Sequence, residues 1–148
     1  MPKLVSHSPE ETRKLAHVFA GQLVKKHAGE PLVIALEGEL GAGKTTFVQA
    51  FAQALGVAHL LKSPTFVLMK SYKLKVPSYK FLHHLDCYRL GDPQDLKPLD
   101  IEKILKHKGN IVLIEWAERV RSTLPKEHVK VIFEHIDENT RNITVAYR

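Results

Sequence analysis

The chain has one cysteine, one tryptophan and no long apolar stretch in 148 residues. A single thiol, Cys87, rules out an intrachain disulfide framework and favours a reducing compartment. The longest apolar run, Leu32 to Leu36, is far too short to cross a bilayer. The opening Met1-Pro2-Lys3-Leu4-Val5-Ser6 has no apolar core of signal-peptide length, so the expected setting is the cytoplasm with no membrane association. Internal repeats and low-complexity segments are also lacking, which excludes solenoids and disordered tracts. What remains is ordinary globular composition: 44% hydrophobic and 26% charged residues, in a length suited to a single domain spanning 1–148. Lysine and arginine number 22 against 16 acids, a formal charge of +6. That balance permits an anionic partner such as a nucleotide or RNA without requiring one. The positive residues are scattered, apart from a loose group at Lys70, Lys73, Lys75 and Lys80.

The hydrophobic pattern alternates between helix and strand. Ser8-Pro9-Glu10-Glu11 is a helix start, with Ser8 as cap, Pro9 at the first helical position and Glu11 completing a capping box. Leu15, Phe19 and Leu23, with Val18 beside them, then predict an amphipathic helix over 9–26. The run Leu32–Leu36 reads as a strand buried on both faces. Phe47, Ala50, Phe51, Ala54 and Leu55 form the stripe of a second helix over 44–55. Residues 66–72 and 79–85 are expected to pair as a hairpin, and Asp100 to cap a short helix ending near Lys106. Ile111–Ile114 is a second fully apolar strand, and 129–136 with 143–147 suggests an antiparallel pair at the end. The expected fold is α/β: a P-loop NTPase-like three-layer sandwich with a mostly parallel central sheet and antiparallel edge strands.

The most specific motif is Gly38-Glu39-Leu40-Gly41-Ala42-Gly43-Lys44-Thr45, which fits G-x-x-x-x-G-K-[ST] at every fixed position. A triphosphate needs inward-pointing backbone N–H groups, and glycines at 38, 41 and 43 let the backbone approach closely. The loop leads into a predicted helix, whose N-terminus adds partial positive charge. Lys44 can reach the β- and γ-phosphate oxygens, and the Thr45 hydroxyl can ligate Mg²⁺. Such a site also needs carboxylates. Glu115 follows the apolar run Ile111–Ile114, the strand-then-acid arrangement of a Walker B element. Asp86 follows 79–85, and is a candidate for a second metal-site or water-activating acid. The alternatives are a surface or capping acid at 115 and a salt bridge from Asp86 to Arg89. His83, His84, Asp86 and Cys87 are weak zinc candidates, because adjacent strand residues point to opposite faces. Cys87 reads better as a small buried hydrophobe, and Trp116 as either core or site lining.

Four segments occur in one order: the phosphate loop through Thr46, then Ser63-Pro64-Thr65-Phe66, then His84-Leu85-Asp86-Cys87-Tyr88-Arg89-Leu90, then Ile114-Glu115-Trp116-Ala117-Glu118-Arg119. Together they resemble the TsaE family, P-loop ATPases of bacterial tRNA threonylcarbamoyladenosine synthesis. Glu39 stands where that family often has Asp, and Ala117 where it often has Pro. The resemblance implies ATP binding and slow hydrolysis with Mg²⁺, in association with the TsaB–TsaD pair, and contact with tRNA only through that complex. It also implies that Gly38 through Thr46 cradle the phosphates, that Thr45 and Glu115 hold Mg²⁺, and that Asp86 serves hydrolysis alongside Lys44 and Glu115. Thr65 would sense nucleotide state, and Trp116 and Thr12 would lie beside the nucleotide. Two other functions share the phosphate loop. A small-molecule kinase would release a phosphorylated product, and a non-catalytic nucleotide- or RNA-binding module would work without Lys44.

Overall fold

The computed structural model describes residues 3–39, 43–58 and 69–147. Its strands are β1 (Lys3–Ser6), β2 (Leu32–Gly38), β3 (Met69–Val76), β4 (Tyr79–Asp86), β5 (Asn110–Glu115), β6 (Val129–His135) and β7 (Arg141–Tyr147). Its α-helices are α1 (Pro9–Lys26), α2 (Lys44–Ala54) and α3 (Ile101–Lys106), joined by 3₁₀ segments at Pro93–Leu99 and Ala117–Thr123.

The strands form one sheet in the order β1-β7-β6-β2-β5-β4-β3. The central pairs β6/β2, β2/β5 and β5/β4 are parallel, and β3, β7 and β1 pair antiparallel at the two edges. Alternation along β2 explains why its run is apolar throughout. Leu32, Ile34 and Leu36 face a core built with α1 and α2. Val33 and Ala35 face a second core built with α3 and the 3₁₀ segments. Helices therefore cover both faces, giving the expected three layers with a parallel centre and antiparallel edges.

Local chemistry explains the helix boundaries and several departures from expectation. Ser8 Oγ accepts the Glu11 amide at 3.1 Å, as a cap should. The Glu11 carboxylate, however, accepts the His7 amide at 2.7 Å rather than that of Ser8, so the reciprocal half of the capping box sits one residue upstream. The buried stripe of α1 runs through Thr12, Ala16, Phe19, Ala20 and Leu23. Val18 lies a residue off that stripe and is 56% exposed. On α2 the expected Ala54 is exposed, and Val48 and Ala52 are buried instead. Asp100 does not cap α3 with its side chain; its backbone is left-handed (φ 54°), and its carboxylate lies 3.6 Å from the Lys103 ammonium. The β3–β4 hairpin turns at Pro77-Ser78, while the expected strand start at Phe66 lies outside the described residues.

Two packing features fix the end of the sheet where the glycine-rich loop begins. Phe47 of α2 lies against Phe19, Phe51 and Phe133, at ring-centroid distances of 6.3, 6.1 and 5.5 Å. That contact pins α2 one turn after Lys44. On the other face, buried Glu37 receives Arg121 at 2.7 Å and Lys130 at 3.0 Å. Burial by itself raises the Glu37 pKa, but the hydrogen bonds from Arg121 and Lys130 outweigh it and hold the carboxyl below its ordinary value. A carboxyl so depressed binds its proton less readily folded than unfolded. Its contribution to stability is thus present above about pH 4.5 and is lost as pH falls through the folded value. Thermal melts of the wild type should drop more steeply below that pH than melts of Glu37→Gln; parallel pH profiles would contradict this.

Candidate active site

Gly38, Asp86 and Glu115 close three adjacent parallel strands at the same end. Glu115 is in register with Leu36 on one side and Asp86 on the other, and Gly38 is in register with Phe133. This is the carboxyl edge of the sheet, where open α/β sheets place their ligands.

The loop geometry requires glycine. Gly38 has φ +145°, and a Cβ there would lie 2.6 Å from the Phe133 carbonyl oxygen. Gly43 has φ +101° and occupies the cap position of α2, which has no side-chain cap and no acid in its first turn. The first-turn amides of α2 are thus left without the usual side-chain acceptor. Leu40, Gly41 and Ala42 lie outside the described residues. Lys44, the first residue of α2, is only 5% exposed. Its ammonium donates to the Gly38 carbonyl, lies 3.5 Å from the Glu39 carbonyl, and sits 3.5 Å over the Trp116 ring. Burial lowers its pKa, while the charges of Glu118, Glu115 and Asp86 oppose that shift.

A cavity of about 340 Å³ opens here. Lys44, Thr45, Thr46, Asp86, Glu115 and Trp116 all border it, so residues far apart in sequence meet at one cavity. Glu115 is 6% exposed and accepts from His84 Nε2 at 2.6 Å, which removes the reading of it as a surface or capping acid. Asp86 Oδ1 accepts the Tyr88 amide at 3.0 Å, and among the described residues no ion pair joins it to Arg89. Trp116 serves both roles considered for it. Its ring packs against the second core and borders the cavity, and its left-handed backbone (φ 57°) turns the chain out of β5. Thr12 also borders the cavity, but its hydroxyl is taken by Ser6 Oγ at 2.7 Å and the Ser8 carbonyl at 3.3 Å. Glu39 is exposed beside the loop, and Thr65 with the rest of Ser63–Phe66 lies outside the described residues.

The zinc candidates separate as strand geometry demands. His83 bonds Ser71 at 2.7 Å on one face, and His84 bonds Glu115 on the other. Cys87 is fully buried, and burial together with the nearby Asp86 charge pushes its thiol up to about 12.

Sequence reasoning passed over several residues at the site. Glu118 Oε2 accepts the Gly38 amide at 3.3 Å and so tethers the start of the loop. Its signal was its place three residues after Glu115, one turn beyond the strand. Tyr88 lies 5.0 Å from Trp116, ring to ring, and borders the cavity. Glu138, Asn139 and Arg141 reach the cavity from the β6–β7 turn, and nothing in their local pattern signals it. Among the described residues, no helix is long and apolar enough to cross a membrane.

Comparison with known proteins agrees with this arrangement. Residues 6–143 match the family described as threonylcarbamoyl adenosine biosynthesis protein TsaE. The tRNA threonylcarbamoyladenosine biosynthesis protein TsaE of Bacillus subtilis is 35% identical over 137 residues, 93% of this chain and 80% of that one. Its counterpart in Treponema pallidum is 35% identical over 144 residues, 97% of this chain and 99% of that one. The crystal structure of Bacillus subtilis YdiB superposes with a TM-score of 0.70 at 32% identity, covering 97% of this chain and 83% of that one. With a match running nearly end to end, this chain belongs to the TsaE family.

Proposed function

We propose that this chain binds ATP with Mg²⁺ and hydrolyses it, as an accessory of tRNA threonylcarbamoyl modification that acts on the TsaB–TsaD pair. The carrying observation is the uncapped N-terminus of α2, opening with Lys44 into a cavity that two strand-end carboxylates share. Orphan amides and a helix dipole attract a polyanion, whereas the carboxylates suit a hard cation, so the two halves fit a metal-bound phosphate chain. The family's role in threonylcarbamoyl adenosine synthesis supports the pathway.

On this reading the amides of Gly43 to Thr46 hold phosphate oxygens, together with those of Leu40 to Ala42. Lys44 exchanges its carbonyl partners for β- and γ-phosphate oxygens, with the Trp116 face keeping the ammonium in place. The Thr45 hydroxyl and the Glu115 carboxylate are the oxygen donors for Mg²⁺, which when bound neutralises charge on the phosphates. Asp86 has one oxygen anchored on the Tyr88 amide, and the other orients and deprotonates the attacking water. Thr65 reports nucleotide state to the partner proteins, Thr12 borders the nucleotide, and tRNA is met only through the complex.

Phosphate release, measured for the chain alone and with purified TsaB–TsaD, tests the proposal. Mg²⁺-dependent release that rises with the pair is expected; a phosphorylated small molecule in place of free phosphate would favour a kinase. Asp86→Asn and Glu115→Gln should each slow hydrolysis by about 100-fold, the scale of general-base and metal-site losses, while nucleotide affinity changes much less. Full turnover in either variant removes that residue from the assignment.

A further inference from the structure

His84 does not border the cavity, yet it holds a residue that does. It lies two positions before Asp86 on β4, in register with Leu113, and is 7% exposed. Its Nε2 meets Glu115 Oε2 at 2.6 Å. An ionised carboxylate only accepts, so Nε2 carries the hydrogen and donates. The other ring nitrogen, Nδ1, is buried and has no hydrogen-bond partner among the described residues. Buried polar atoms are nearly always satisfied, often by wider networks. Among the described residues the imidazole makes a single hydrogen bond, and that bond ends on Glu115.

We propose that His84 is a positioning residue that fixes the rotation of the Glu115 carboxylate. The terminal torsion of a glutamate is broad and soft, so a carboxylate at a cavity wall has no preferred orientation of its own. A bond to Oε2 from behind fixes that torsion and turns the other oxygen toward the cavity. This inference rests on the reading of Glu115 as an oxygen donor for Mg²⁺; partners that orient a metal-binding side chain typically change metal affinity by about 10- to 100-fold.

Calorimetric titration of ADP, with Mg²⁺ varied from none to saturation, tests it without reference to turnover. His84→Leu should raise the Mg²⁺ concentration for half-maximal enhancement by about 10-fold or more, with ADP affinity in EDTA unchanged. His84→Gln, whose amide N–H can reach the same oxygen, should restore most of that loss. In a Glu115→Gln background, His84→Leu should add nothing. Thermal melts check folding; if His84→Leu does not fold, His84→Asn, whose amide falls short of Glu115, takes its place. An unchanged Mg²⁺ response in the folded variant, or an equal loss in the Glu115→Gln background, overturns the positioning role alone. A wild type whose ADP binding ignores Mg²⁺ overturns the magnesium reading of Glu115 and this inference with it.

Discussion

Lys44→Met is expected to weaken ATP binding by about 100-fold while leaving the fold intact. Hydrogen bonds to charged groups contribute about 1.5–3 kcal/mol each, and a factor of ten in affinity is about 1.4 kcal/mol. A 100-fold loss is about 2.8 kcal/mol, less than two such bonds would sum to, because Lys44 gives up its contacts to the Gly38 and Glu39 carbonyls as it takes phosphate oxygens. The fold should tolerate the change because Lys44 makes no ion pair within 4 Å among the described residues. Its stem is buried at the start of α2, and methionine keeps much of the length while removing a desolvated charge. Calorimetry with ATP and Mg²⁺, alongside a thermal melt, separates the two effects. Unaltered affinity in the variant would remove Lys44 from the phosphate site, and a large drop in melting temperature would show that the ammonium supports the fold.

Gly38→Ala should have the largest effect on folding. Two independent costs meet at that position. An alanine at φ +145° occupies a region open essentially to glycine, a strain of about 1–3 kcal/mol. Its Cβ would also come within 2.6 Å of the Phe133 carbonyl and 3.0 Å of the Phe133 Cβ, the backbone of a paired central strand that cannot move aside cheaply. Overpacking of that kind costs about 1–3 kcal/mol. Together they amount to about 4 kcal/mol, a fall of about 8–16 °C in melting temperature for a domain of this size. Gly43→Ala makes the informative contrast. Its φ is also positive at +101°, but among the described residues its Cβ would meet nothing closer than 3.9 Å, so the strain is the main cost. Equal melting temperatures for the two variants would show that the approach of Phe133 is not decisive.

The two innermost strands, β2 and β5, were legible because each is buried on both faces and has no alternation to misread. The run Leu32–Leu36 and the run Ile111–Ile114 pair directly in the sheet. β1 gave no comparable signal. It has four residues, three of them incompletely buried, and it is a strand only because β7 offers an open edge. The exposed Val18 and Ala54 show the limit of stripe reading: a residue's place on the helix is known from sequence, but how wide a face the sheet covers is not.

At the site, local pattern singled out the candidate groups whose chemistry is announced by neighbours: the glycine-rich loop before Lys44 by its spacing, and Glu115 by the strand before it. Glu118 and His84 were not announced, because their partners Gly38 and Glu115 lie 80 and 31 residues away, and Arg141 was not, because only the β6–β7 hairpin brings it to the cavity. The sequence by itself determined most of the element types and which side chains carry chemistry suited to phosphate and cation, since those depend on periodicity and side-chain type within a few positions. Only the tertiary structure decided which of them meet. Strand order brings Asp86 and Glu115 beside Gly38, the approach of Phe133 imposes glycine there, and a histidine from the neighbouring strand reaches the acid. Long-range pairing of this sort is set by the shape of the whole sheet, which no short window of sequence contains.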